Sequence, residues 1–435
     1  MSAGARARTA ALLAVAAVVL AGCGDDTSSS GGDTGGTAPK LDGRGPITLA
    51  TGKDTSGNMQ KLVDAWNTDH PDEKVTITEL PESADEQRNQ MVQNARVKSD
   101  AFTVLNLDVV WTAEFAANRW IVELPENEFD LENFLEPAVS TAKYRDNLYA
   151  VPVYSDGGML YYRKDLLEKA GITEAPKTWT EMSDACKKVQ ALPEGKGIGC
   201  YAGQFDKYEG LTVNFSEAVQ SAGGEVVGED GKPNVNTDEA KEGLNFLVDG
   251  VKSGEIPKAS TSYQEEEGRR AFQGGQLVFH RQWPYQWNLA NATDGTSKVA
   301  GKFDVAPLPG KDGPGVSTLG GHNHAISAFA KNKATALDFI KYFTSEESEK
   351  SNLLATSQAP TRTGLYDDPE LVEKFPYLPT LKASIEAAAQ RPQAVKYGDV
   401  TAAIQEAAYG AMNGEKSTDE ALSELQSKLE ELTAE

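Results

Sequence analysis

The run Trp283-Pro284-Tyr285-Gln286-Trp287 places three large rings within five residues. Indole and phenol rings offer flat apolar faces that cover the C–H face of a sugar, with polar tips left over for hydroxyls. Pro284 interrupts continuous helical burial, so Trp283 and Tyr285 are expected at a cleft, and Trp287 in ordinary core packing. Four charged residues are candidate partners for such a ligand. Asp108 closes an apolar strand, Asp156 sits in the turn Ser155-Asp156-Gly157-Gly158, Glu267 lies in a short helix over 265–273, and Arg391 precedes Pro392. Carboxylates and a forked guanidinium make the strong hydrogen bonds that fix hydroxyls in place. Any one of them alone would be an ordinary solvated surface charge.

Signatures of catalysis are missing from the sequence. It has no phosphate-loop spacing, no G-x-S-x-G elbow and no H-E-x-x-H helix, and its four histidines leave little for a Ser-His-Asp arrangement. No enzyme activity and no cofactor are expected. His322-Asn323-His324 is the one suggestive cluster, because residues i and i+2 of a strand share a face and two imidazoles there reach one metal. The plainer reading is a strand end beside a cleft, and no metal is assigned. Cys186 and Cys200 are too few for a zinc framework; in an exported chain an even pair predicts one disulfide closing a short loop, the alternative being two buried thiols.

Export itself is read from the N-terminus. Arg6 and Arg8 precede an apolar run, Ala10 to Leu20, too short to span a membrane. Leu20-Ala21-Gly22-Cys23 then resembles a bacterial lipobox, which implies removal of residues 1–22 and lipidation of Cys23; an ordinary secretory signal with an incidental cysteine is the alternative. Residues 23–45, rich in Gly, Ser, Thr and Asp, are predicted to form a flexible tether that holds the protein at the outer face of the membrane without entering it. Processing removes two arginines and no acid, taking the net charge from −23 to −25. Such acidity disfavours nucleic acid and anionic ligands, although a local basic pocket is compatible with it.

The elements that must position these residues read as α/β. Ile47–Thr51, 75–80 and 104–110 are strands separated by helices, the pattern of a parallel sheet with crossovers. Around residues 148–171 a strand carrying Pro152, therefore an edge strand, gives way through a glycine turn to a second strand and a helix stopped by Gly171. This is read as the crossing between two lobes, with Tyr154 and Asp156 facing the ligand. Thr178-Trp-Thr-Glu181 is a capping box, 237–253 is amphipathic and stops at Gly254, and the chain beyond Ser345 reads as helical, ending in Leu422, Leu425, Leu429 and Leu432. The expected first lobe is 46–153 with 305–344, and the second is 154–304 with 345–435.

At these residues the chain resembles the extracellular solute-binding lipoproteins of sugar ABC importers (family 1), nearest to the trehalose/maltose-binding group. The resemblance rests on LNLDVVWTAEFAANRWIVELP at 105–125, YAVPVYSDGGMLYYRKDLL at 149–167, EEEGRRAFQGGQLVFHRQWPYQW at 265–287, LGGHNHAIS at 319–327 and RPQAVKY at 391–397. It implies a two-lobed periplasmic-binding-protein-like fold with hinge strands and a helical C-terminal part, closing on an α-glucoside such as trehalose or maltose. It further implies a ligand site formed by Asp54, beside Lys53, together with Asp108, Tyr154 and Asp156. Trp283 and Tyr285 would stack, the Gly320-Gly321 backbone would approach the sugar, and Arg391 would bind hydroxyls. His322 stands where the family often has tryptophan, which removes one stacking face. The implied partners are a small-molecule sugar and membrane permease subunits, with the receptor itself a monomer. Two rivals remain: a receptor for a cationic solute such as a polyamine, whose charge would use the same rings, and a glycan-processing enzyme with Asp108 and Asp156 as paired carboxylates.

Overall fold

The computed structural model describes residues 40–54, 56–228 and 231–433. Cys23, the signal segment and the tether up to residue 39 lie outside the described residues. The last tether residues are docked rather than loose: Arg44 bridges Glu73 and Asp338, and the carbonyls of Asp42 and Gly43 accept from the amides of Lys333 and Ala334.

In chain order the strands are β1 (Ile47–Thr51), β2 (Val75–Glu79), β3 (Val104–Asp108), β4 (Lys143–Tyr144), β5 (Asn147–Leu148), β6 (Ala150–Asp156), β7 (Met159–Tyr162), β8 (Gly199–Ala202), β9 (Leu277–Gln282), β10 (Asp304–Ala306) and β11 (Gly320–Ile326). One sheet has the order β2-β1-β3-β11-β6, in which β1 runs parallel to β2 and β3 while β11 is antiparallel to β3 and β6. Helices Asn58–Asp69 and Ala84–Arg96 make the crossovers between its parallel strands. Every residue of β3 is buried, as a central strand requires. β6 is the edge strand that Pro152 demands, and its register against β11 slips beside that proline, between His322 and Asn323.

The second sheet has the order β10-β7-β9-β8, with β8 parallel to β9 and the other pairs antiparallel. Tyr154 to Asp156 thus belong to the first sheet and Asp304–Ala306 to the second. The chain leaves the first sheet at Gly157-Gly158 and returns between β10 and β11, so the crossings fall after the expected 153 and 305, at 157–158 and within 307–319. Gly157 and Gly158 are not at positive φ, contrary to the turn chemistry expected of them. They are glycines for space: a Cβ on Gly157 would lie 2.7 Å from Ser384 Oγ, and one on Gly158 would lie 2.7 Å from both Arg281 Nη2 and Glu217 Oε1.

Among the described residues, three apolar cores hold the assembly. Leu49, Val63, Trp66, Leu107, Ile326 and Phe339 fill the first lobe, and Val189, Phe215, Leu244 and Ile404 the second. In the second, Leu422, Leu425 and Leu429 of the C-terminal helix (Thr418–Thr433) are buried, each contributing on the order of 2 kcal/mol over an exposed position. The third joins Met159 and Tyr161 to Leu371, Tyr377 and Leu381 of the C-terminal helices. Trp287 packs here against Phe303 and Tyr377. Beyond Ser345 the helices are interrupted by non-helical stretches at 357–362 and 388–394, the second of which carries Arg391. Among the described residues, no helix is long and apolar enough to cross a membrane.

Candidate functional site

A cavity of about 490 Å³ lies where the C-terminal ends of β1, β3 and β6 meet the start of β11 and the loop after β9. Open α/β sheets place ligands at this end of their parallel strands. The structure brings Asp54, Asp108, Tyr154, Asp156, Trp283, Tyr285, Gly320, Gly321, His322 and Arg391 to its wall, with Lys53 beside them. Glu267 is not among them. Its carboxylate completes a capping box with Gln264 and pairs with Arg270, while the two preceding residues, Glu265 and Glu266, line the cavity instead. The sequence carried that signal, since Gln264 and Glu267 have the N-cap to N3 spacing.

The aromatic wall is backed by charge. The Arg281 guanidinium lies 3.7 Å from the centre of the Trp283 ring and covers one of its faces. Tyr285 donates its hydroxyl to Glu266 Oε1 at 2.9 Å, and Glu266 is in turn held by Arg269 at 2.6 Å. Tyr154 accepts from Asn106 Nδ2 at 3.3 Å and lies 4.8 Å, ring to ring, from His322. His322 stands opposite Asp108 on β3 and Tyr154 on β6. Burial lowers its pKa to about 4, so it presents a neutral imidazole at pH 7. His324 points to a different environment, buried against Phe343 at 4.7 Å.

The acids differ in their partners. Asp54 is spent on its own loop, accepting from the Ser56 and Met59 amides at 2.8 and 2.9 Å. Asp156 has no hydrogen bond or ion pair among the described residues; burial, with Asp108 nearby, pushes its carboxyl up to about 7 against the pull of Arg281. Asp108 accepts from Arg391 Nη2 at 2.7 Å. The same guanidinium donates to Glu209 Oε1 at 2.6 Å, so Arg391, 2 % exposed, has only its Nε without a partner. The hydroxyl-binding role implied for Arg391 therefore has little donor capacity left to serve it.

Glu209 went unnoticed in the sequence, as did Asn106. Glu209 also accepts from Tyr397 and Thr401, and burial pushes it up to about 7 despite Arg391. Asn106, 2 % exposed, keeps an unpartnered Oδ1 in the cavity wall.

Two backbone positions need glycine. Gly321 has φ +112°, and a Cβ there would lie 2.3 Å from the Tyr154 carbonyl oxygen; one on Gly320 would strike the Trp283 ring at 2.8 Å. Away from the cavity, Cys186 and Cys200 are joined in a disulfide, Cα atoms 5.5 Å apart, between the helix Trp179–Gln190 and β8.

Residues 51–350 match the sequence pattern of the bacterial extracellular solute-binding proteins. The chain belongs to that family. A probable ABC transporter-binding protein of Deinococcus radiodurans is 31% identical over 88% of this chain and 93% of its own length. The mannitol-binding protein of Pseudomonas aeruginosa is 26% identical over 69% of each chain. Among solved structures, maltose-bound MalE3 of T. maritima superposes with a TM-score of 0.84 at 34% identity, covering 89% of this chain and 99% of that one. The fold is the two-lobed one of such receptors, and the family is one of solute binding rather than catalysis. In a solute-binding protein of this fold, the cavity between the sheets is the candidate ligand site.

Proposed function

We propose that this protein is a lipid-anchored receptor that captures an α-glucoside of the maltose or trehalose type and delivers it to an ABC permease. The observation that carries the reading is the pairing, in one cavity of about 490 Å³, of aromatic rings with carboxylate acceptors. Trp283, Tyr285 and Tyr154 supply apolar faces, and Asp156 and Asp108 accept hydroxyl hydrogens. The likeness to a maltose-bound receptor supports an α-linked sugar. Lipid on Cys23 would keep the monomer beside its permease. Closure of the lobes excludes water and strengthens each polar contact.

One observation favours a second reading. Among the described residues, Asp54, Glu82, Asp108, Asp156, Glu209, Glu265 and Glu266 face the cavity against only Lys53 and Arg391. That excess of acid suits a cation such as a polyamine. Calorimetric titration of the chain from residue 40 against maltose, trehalose, maltodextrins, cellobiose and spermidine separates the two. Stoichiometric binding of an α-linked sugar supports the first; spermidine alone supports the second.

A further inference from the structure

Behind the cavity wall, Arg281 and Glu217 form an ion pair with side-chain exposures of 0% and 6%. The contact is bidentate, Nε to Oε2 at 2.7 Å and Nη2 to Oε1 at 2.5 Å. On one side the guanidinium supports Trp283. On the other, Glu217 Oε1 accepts from the Thr318 amide at 3.2 Å and from Ser317 Oγ at 3.4 Å. Ser317 Oγ in turn accepts from the Gly158 amide at 2.6 Å. Gly158 lies where the chain leaves the first sheet, and Ser317-Thr318 where it returns. Both crossover segments and the underside of the stacking ring are therefore linked through one ion pair, the ring by Arg281 and the segments by Glu217.

A buried ion pair is weak evidence for stability, because desolvation offsets much of its attraction. What the geometry adds is connection. We propose that Glu217 and Arg281 are a positioning pair that fixes the Trp283 ring relative to both crossover segments, so that sugar stacking and lobe closure are one event. This rests on the receptor reading above. It explains why Gly158 carries no side chain, since a Cβ there would press on both members of the pair. Neither residue need touch the ligand.

The first test needs no ligand: hydrogen–deuterium exchange on the ligand-free chain, comparing wild type with Glu217→Gln and Gly158→Ala. In both variants, amides of 155–160, 283–285 and 316–320 should exchange about tenfold faster, with the helix Asn58–Asp69 unchanged. Acceleration confined to the pair's own elements, 209–221 and 277–282, overturns the proposal. Should Glu217→Gln fail to fold, Gly158→Ala, which disturbs the pair from the hinge side, decides the matter alone. The second test is a double-variant cycle of Glu217→Gln and Trp283→Ala in calorimetric titrations with maltose and trehalose. The two losses should not add, the double variant binding within about threefold of Trp283→Ala; full additivity contradicts the coupling. A wild-type chain that binds neither sugar removes the receptor's sugar assignment and leaves the exchange result to judge the pair.

Discussion

Arg391 and Glu209 are 182 residues apart in sequence, yet Arg391 Nη1 lies 2.6 Å from Glu209 Oε1. Through Nη2 the same guanidinium holds Asp108, at the end of β3 in the first sheet. One cation thus joins a helix of the second lobe to a strand of the first, at the edge of the ligand cavity. Removing it would leave two carboxylates facing each other with little water.

Arg391→Met is accordingly expected to destabilise the folded chain by about 3–5 kcal/mol, the usual cost of stripping one partner from a buried charge cluster. Urea unfolding monitored by circular dichroism measures it. A loss below about 1 kcal/mol would mean that solvent replaces the guanidinium at no cost.

Asp156 predicts a proton linkage. Burial holds its carboxyl at about 7. A hydroxyl donated to the ionised form lowers that pKa, so binding expels a proton just below pH 7 and affinity rises with pH through that region. The gain between pH 5.5 and 8 should reach up to about tenfold. Titrations in buffers of different ionisation enthalpy count the protons, and Asp156→Asn should abolish both the release and the pH slope. For the ligand-free chain the sign is opposite. A carboxyl raised above its ordinary value of 3.8 contributes stability that is full below that pH and is lost as pH climbs through about 7.

The disulfide is testable by mass. Alkylation without reduction should leave Cys186 and Cys200 unmodified and linked in a single peptide pair. Replacing both with alanine should cost about 3 kcal/mol, the chain-entropy value for a closed loop of this length. Two alkylated thiols in the exported protein would contradict the pairing.

How far the sequence alone reached depended on how local each signal was. Pro152 announced an edge strand, Thr178 and Glu181 a capping box, and the leucines 422, 425, 429 and 432 a helix face; each is decided within a few residues, and each is found, with Leu432 only partly buried. The paired rings of Trp283 and Tyr285 were legible for the same reason. Glu209 was not, because its meaning comes from Arg391, Tyr397 and Thr401, and nothing near it in the chain marks it. Glu267 failed differently. Three consecutive glutamates open one helix, successive residues turn by about 100°, and only register decides which of them faces the cavity. Gly157 and Gly158 looked like turn residues, yet their need is for space against side chains more than fifty residues away.

The central claim is that a sugar stacks on Trp283 in the cavity between the lobes. The most direct measurement is calorimetric titration of wild type and Trp283→Ala, side by side, with maltose and with trehalose. One sugar should bind the wild type at one site per chain and bind the variant at least about thirtyfold more weakly, with the thermal unfolding midpoint nearly unchanged. Equal affinity for the two proteins, or a wild type that binds neither sugar, would contradict the account.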